Sequence, residues 1–98
     1  MTRIIVKELM WDAYNLSHIQ KHRVTKEQVI IAVGMLRYHK NTYNKRYLLV
    51  GRSGERILAV VVNRQKMNTY YVVSARDADK KERRRLYEKE KNIKNSNI

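Results

Sequence analysis

The sequence has 98 residues, 43% of them hydrophobic, which allows one folded domain with a single core and excludes two domains of ordinary size. A formal net charge of +13, from 22 lysines and arginines against nine acidic residues, favours polyanionic partners over neutral ligands. The absence of cysteine excludes disulfides and thiolate metal sites, and no stretch approaches the ~20 apolar residues of a membrane-spanning helix. We therefore expect a cytoplasmic protein without a membrane segment.

The amino-terminal part of the chain predicts a short strand and a helix. Residues 3–10 form the strand or an extended lead-in, and the helix spans residues 12–22 with Asp12 as its cap. Leu16 and Ile19, three residues apart, lie on one face of this helix and indicate its core side. Steps of four residues place three ring-bearing side chains on another face, namely Tyr14, His18 and His22.

A second helix is predicted over residues 26–36. Thr25 and Gln28 have the spacing of a capping box, and Val24 can pack against Val29 as a hydrophobic staple. The polar stretch over residues 37–45 is typical of a loop.

The middle of the chain predicts a β-hairpin. "RYLLVGR" and "RILAVVVNR" flank "SGE", and Ser53-Gly54 supplies the conformational freedom of a tight turn. Such a turn places Arg52 opposite Glu55 and Val50 opposite Ile57. Both faces of the hairpin are then apolar, so both must be covered, and we expect a partner chain over one of them.

A third strand, "TYYVVSAR", follows and leads into a last helix over residues 79–90, which Asp79 and Glu82 begin as a capping box. The expected fold is α+β, with a three- or four-stranded, mainly antiparallel sheet, two amino-terminal helices and one carboxy-terminal helix. Residues 1–90 make one domain, and residues 91–98 are a polar tail.

Three segments resemble the BrnT-like toxin family, in the family's order and over roughly residues 11–87. "WDAYNLSHIQKHRVTKEQV" is similar to its amino-terminal signature, "RYLLVGRSGERILAVVV" to its central hairpin, and "VVSARDADKKERRRLY" to its closing strand and helix. The chain departs from the family pattern at two positions. Tyr71 stands where many members have an arginine, and Arg23 replaces a common glycine.

The resemblance implies a RelE-like fold and a metal-independent endoribonuclease toxin of the mRNA interferase type, without a cofactor. It also implies a cognate antitoxin, usually a ribbon-helix-helix protein, whose acidic segment inhibits the toxin and whose complex with it binds operator DNA. Two alternatives remain open. One is a nucleic-acid-binding or regulatory module with weak or no catalysis, which Tyr71 favours. The other is a protein-interaction subunit whose charge serves an acidic partner.

Four residues are candidates for catalysis. Metal-independent RNA cleavage needs proton exchange and cations that stabilise the phosphate. Arg76 suits the phosphate because a sheet strand ends there, although it can instead pair with Asp77, Asp79 or Glu82. His22 suits proton exchange, or it stabilises a helix end. Arg83 and Tyr87, one turn apart on the last helix, complete the set, and Tyr87 can alternatively belong to the core.

Seven further cations are candidate RNA contacts. Three mark ends of the hairpin strands and alternatively extend into water, namely Arg46, Arg52 and Arg64. Four give the last helix a general positive surface, namely Lys80, Lys81, Arg84 and Arg85. His18 and His22 have the spacing of a zinc-binding pair, but only His39 is available as a third ligand, so no metal site is predicted.

Overall fold

The structure is a computed structural model that describes residues 4–95. It contains a five-stranded sheet with two helices on one face and a third helix on the other. None of the helices in this range is long and apolar enough to cross a membrane. The elements, in chain order, are β1 (Glu8–Met10), α1 (Ala13–Gln20), α2 (Lys26–Gly34), β2 (Leu36–Asn41), β3 (Arg46–Ser53), β4 (Arg56–Lys66), β5 (Thr69–Asp77) and α3 (Lys80–Asn95).

The strand order is β1-β5-β4-β3-β2, with β2 to β5 antiparallel and β1 parallel to β5. The α+β class, the mainly antiparallel sheet and the placement of the helices confirm the predicted fold. The predicted number of three or four strands was wrong, because the sheet has five. The prediction of a loop after α2 was wrong, because residues 36–41 form the edge strand β2. Only Tyr38 is buried in this strand, so its sequence lacks the apolar run that indicates a strand.

The β3–β4 hairpin has a different register from the predicted one. Arg52 lies opposite Ile57 and Val50 opposite Ala59, because the loop is Gly54-Glu55 rather than Ser53-Gly54. Gly54 has a φ of +64°, and a positive φ at the first loop position is the pattern of a type II′ turn. The error changes the pairing by two residues, so each side chain remains on its predicted face.

Each sheet face has its own core. On the α1 and α2 face, the buried residues include Ile19, Val29, Leu49, Leu58, Val60, Val62 and Val72. On the α3 face they are Tyr38, Val50, Ile57, Ala59, Ala78 and Leu86. The chain therefore covers both faces with its own helices, and the inference that a partner must cover an apolar sheet face was wrong.

Close packing of α2 on the sheet depends on Gly51 in β3. A Cβ atom at this position would collide with the carbonyl oxygen of Ala32, which belongs to the helix backbone. Glycine is therefore required here by the short distance between the helix and the sheet.

The predicted caps of the three helices are confirmed. Asp12 caps α1, and Thr25 forms a reciprocal capping box with Gln28 at the start of α2. Asp79 and Glu82 exchange the same two hydrogen bonds, both of 2.8 Å, at the start of α3. This last helix continues to Asn95, beyond its predicted end at residue 90, while residues 96–98 of the predicted tail lie outside the described residues.

Helix α1 buries a polar residue that its apolar pattern did not indicate. Asn15 is fully buried and its side-chain nitrogen donates hydrogen bonds to the carbonyls of Met10 and Val72, joining the helix to β1 and β5. Ile19 is buried as predicted, whereas 38% of Leu16 is exposed. The core side of α1 is therefore rotated toward Asn15.

Candidate functional site

A cluster of charged side chains lies where β5 ends, α3 begins and α1 ends. We call it the sheet-end cluster and define it as His22, Arg56, Arg76, Asp77 and Arg83. Arg56 and Asp77 form its central ion pair, with Nε–Oδ1 and Nη2–Oδ2 distances of 2.7 and 3.3 Å. Two of the four predicted catalytic residues, His22 and Arg83, lie close enough to act on the Asp77 carboxyl. Arg76 precedes Asp77 on β5, so its side chain lies on the opposite face of the sheet, where Nη1 donates to the Asp77 carbonyl at 3.1 Å.

Arg56 also holds the end of α1 against the sheet. Its guanidinium donates hydrogen bonds to the carbonyls of His22 and Arg23 and to Oε1 of Gln28. Arg23 has a φ of 58°, a left-handed conformation that glycine adopts without strain. This conformation explains why a glycine suits this position, and why arginine here is a strained replacement.

The charges of the sheet-end cluster act on the Asp77 carboxyl. The hydrogen bonds from Arg56 are the main cause that lowers the pKa of Asp77, and the nearby charges of Arg83 and His22 lower it further. Asp77 is therefore a carboxylate near neutral pH.

Arg76 lies at the predicted position and makes one of its predicted alternative contacts. It lies opposite Ala59 on the α3 face, where Nη1 and Nη2 donate to the two carboxylate oxygens of Glu82 at 2.8 and 3.0 Å. This pairing raises the pKa of Arg76, with Glu82 as the main cause. The Arg76 side chain is still 40% exposed, so it both anchors α3 and presents an edge to solvent.

Arg83 lies on the exposed surface of α3, one turn before Tyr87. Within the described range its guanidinium makes one hydrogen bond, to the Ala78 carbonyl at 2.6 Å, so most of its N–H groups can reach a ligand. Tyr87 is 52% exposed and its ring faces the Arg52 guanidinium at 5.8 Å. Tyr87 is therefore available at the surface, and its predicted alternative as a core residue was wrong.

Arg52, a predicted RNA contact, belongs to an ion-pair network on α3. Its Nε and Nη2 atoms donate to the Glu90 carboxylate at 2.6 and 2.9 Å, and Arg37 donates to the same carboxylate at 3.0 Å. The hydrogen bonds from Arg52 are the main cause that lowers the pKa of Glu90 from 4.5 to about 2. The network fastens the carboxy-terminal half of α3 to β2 and β3.

The depressed pKa of Glu90 predicts an acid-sensitive contribution to stability. A carboxyl with a folded-state pKa of about 2 stabilises the fold above its ordinary pKa of 4.5, and this contribution is lost as the pH falls toward 2. We expect Glu90→Gln to reduce the free energy of unfolding near neutral pH by about 1–2 kcal/mol, allowing for solvent screening. Thermal melting measures the loss, which should vanish near the folded-state pKa. Glu88→Gln on the same helix is the control, and an equal effect would contradict the prediction.

The two remaining strand-end arginines lie away from the sheet-end cluster. Arg46 lies opposite Asn63 and Arg64 opposite Tyr70, at the other end of the β4 strand. The Nε atom of Arg46 is buried and donates no hydrogen bond to any described residue. The structure therefore does not bring all the predicted RNA contacts to one place.

A groove of about 670 Å³ separates one flank of α3 from the sheet. Three predicted RNA contacts line it, namely Lys81, Arg84 and Arg85, and the Arg85 guanidinium lies 5.1 Å from the centre of the Tyr38 ring. The fourth, Lys80, is exposed on the same helix. Lys40 and Lys89 also line the groove, and the sequence prediction missed Lys40 because β2 was interpreted as a loop.

Within residues 4–95, no group of three or more histidine, aspartate and glutamate side chains could hold a metal ion. The rings of His18 and His22 lie edge to face at 6.2 Å between their centroids. His39 lies on β2, two strands beyond β4, while His22 follows α1. The chemistry available at the sheet-end cluster is proton exchange and phosphate binding by the chain's own side chains.

The fold is similar to that of a solved toxin. The crystal structure of the Brucella abortus ribonuclease toxin BrnT matches with a TM-score of 0.62 and 21% sequence identity, covering 74% of this chain and 97% of that chain. No family model and no curated protein matches the sequence. The match confirms the fold that the sequence resemblance implied.

Proposed function

We propose that the chain is a BrnT-like toxin that cleaves RNA without a metal ion. The observation that carries this proposal is the placement of three candidates at the same end of β5, where His22 and Arg83 act on the Asp77 carboxyl and Arg76 donates to the Asp77 backbone carbonyl. Two further observations support it. The fold is similar to that of a ribonuclease toxin, and the sequence segments that resemble the family span the elements that build the cluster.

The cluster supplies a proton acceptor and cations for such a reaction. The RNA 2′-oxygen loses its proton to the acceptor and attacks the adjacent phosphorus, and the bond to the 5′-oxygen breaks as this oxygen takes a proton from water, giving a 2′,3′-cyclic phosphate and a 5′-hydroxyl. His22 is the proposed proton acceptor. Arg83, with the exposed edge of Arg76, binds the phosphate oxygens as charge develops on them. Tyr87 offers a hydroxyl one helical turn further along α3.

Two observations favour a second candidate, an RNA-binding module with weak or no catalysis. Tyr71, where the resemblance expects an arginine, donates its hydroxyl to both carboxylate oxygens of Asp12 at 3.1 and 3.0 Å. Tyr71 therefore makes a contact within the fold at a position where the family resemblance expects a cation. The Arg76–Glu82 ion pair also favours the binding module, because a phosphate has to compete with Glu82 for the Arg76 guanidinium.

The proposed partners are RNA and a cognate antitoxin. The charge of +13 and the basic groove between α3 and the sheet suit an acidic segment, which would block phosphate binding there. A ribbon-helix-helix antitoxin would also bring the complex to operator DNA. These roles belong in the cytoplasm, where RNA and the operon are found.

The test is incubation of the purified chain with RNA in the presence of EDTA. We expect cleavage to persist and to yield 2′,3′-cyclic phosphate and 5′-hydroxyl ends, since no step needs a metal. The Arg76→Ala/His22→Gln double variant, purified in the same way, is the control for contaminating nucleases. Salt-dependent RNA binding without cleavage would support the binding module instead. A chain that neither binds nor cleaves RNA would support the protein-interaction subunit.

A further inference from the structure

Helix α1 exposes a row of aromatic and imidazole rings on the flank that its core does not use. Tyr14 and His18 have ring centroids 6.3 Å apart and planes within 8° of parallel, and His22 continues the row at 6.2 Å. Tyr14 is 74% exposed. Asn15 and Ile19 already form the buried side of the helix, so packing does not explain these rings.

The row runs beside an open strand edge toward the sheet-end cluster. Strand β1 pairs only with residues 69–71 of β5, so within the described range the rest of β5 has no strand on that side. At the start of the row, Tyr14 lies close enough to Tyr71 to add to the rise in its pKa, which burial and Asp12 mainly cause. At the end of the row, His22 lies near Asp77.

A shallow hollow lies between the first two rings. Its volume is about 310 Å³, and it is lined by Ala13, Tyr14, Ser17, His18 and Lys21. Two flanking rings need about 7 Å between their planes to hold a planar base, because optimal carbon contacts are about 3.5 Å. The Tyr14 and His18 centroids are only 6.3 Å apart, so the distance between their planes is too short for a base between them, and a base would stack on the exposed ring surface instead. Lys21 adds a positive charge beside the hollow.

We propose that Tyr14 and His18 form a stacking platform for the bases of single-stranded RNA, with His22 at the end of the platform beside the scissile phosphate. This inference rests on the proposed function and assigns it a substrate class, single-stranded RNA. Base stacking on aromatic side chains tolerates any base, because every base has a π-face. Double-stranded RNA would not bind to the platform in this way, because its bases already stack on one another.

The experiment measures binding of a fluorescently labelled single-stranded oligoribonucleotide, and of the same strand with one abasic position, by anisotropy. We expect Tyr14→Ala to weaken binding of the intact strand about tenfold, whereas Tyr14→Phe retains it. Tyr43→Ala, which removes an equally exposed tyrosine from the β2–β3 loop, is the matched control. The abasic position is moved along the strand one nucleotide at a time. At one of these positions, the wild-type chain and Tyr14→Ala should bind the abasic strand with the same affinity.

Kinetics and folding separate this inference from the catalytic proposal. Tyr14→Ala should raise KM and leave kcat within about twofold, because stacking away from the phosphorus is the same in substrate and transition state. If the chain does not cleave RNA but Tyr14→Ala still loses base-dependent binding, the platform stands and the ribonuclease proposal fails. The platform is refuted if Tyr14→Ala keeps the wild-type melting temperature and binds the intact strand as tightly as Tyr43→Ala does. It is also refuted if no abasic position abolishes the affinity difference between the wild-type chain and Tyr14→Ala.

Discussion

Replacing Arg76 by alanine is expected to lower the RNA cleavage rate about a hundredfold or more, while weakening RNA binding far less. The side chain sits at the end of a sheet strand, so its position is set before substrate arrives. A guanidinium held in this way stabilises charge that develops on the phosphate without reorganising. Single-turnover kinetics and anisotropy measure the two quantities separately.

The ion pair with Glu82 provides the control that separates catalysis from folding. Glu82→Gln removes the charge that competes for Arg76, yet a glutamine at this position of the capping box can still accept from the Asp79 N–H. If Arg76 acts on the phosphate, Glu82→Gln keeps cleavage although α3 is held less firmly. If Arg76 only anchors α3, both variants lose activity in proportion to their loss of thermal stability, and the catalytic role is refuted.

Loss of a positive charge on the flank of α3 that lines the groove should have a different effect from Arg76→Ala. Arg84 and Lys81 line the groove and belong to no ion pair within the described range. Alanine at either position should weaken binding modestly and reduce its salt dependence by about one phosphate contact. Arg76→Ala should differ from these two variants by lowering the cleavage rate far more than it weakens RNA binding.

Local signals predicted most of the fold. Helix starts at Thr25 and Asp79 depend on residues three positions apart, so the sequence contains the whole interaction. The faces of β3 and β4 follow from alternation, which survived the error at Gly54 because the register changed by two residues. Strand β2 was missed because an edge strand of polar residues is stabilised by its neighbour, not by its own pattern.

The positions of the candidate site residues were predicted in part for the same reason. Arg76 and Arg83 were chosen as candidates because a strand end and a helix start are visible along the chain. The Arg56–Asp77 pair joins residues 21 positions apart, and its contacts to the end of α1 depend on the tertiary fold. The resemblance identified the segments that meet here, but the distances between their side chains required the structure.

The last prediction concerns the proton acceptor. His22→Gln keeps hydrogen-bonding groups of similar reach but cannot exchange a proton near neutral pH, so we expect the cleavage rate to fall about a hundredfold and the neutral limb of the pH-rate profile to disappear. The backbone carbonyl of His22, which accepts from Arg56 at 3.0 Å, is retained in the variant. The change should therefore leave the melting temperature close to that of the wild-type chain.

The control for this prediction is His39→Gln, which makes the same chemical change on the edge strand β2, away from the end of α1. It should retain both the rate and the profile. A His22→Gln chain with the wild-type profile would assign His22 to stacking and to the end of α1, and the proton would then have to be accepted by another group. Among the residues of the sheet-end cluster that group could only be Asp77, whose pKa is lowered by Arg56 and which is therefore the weaker base. Loss of the limb with an unchanged fold consequently identifies His22 as the base.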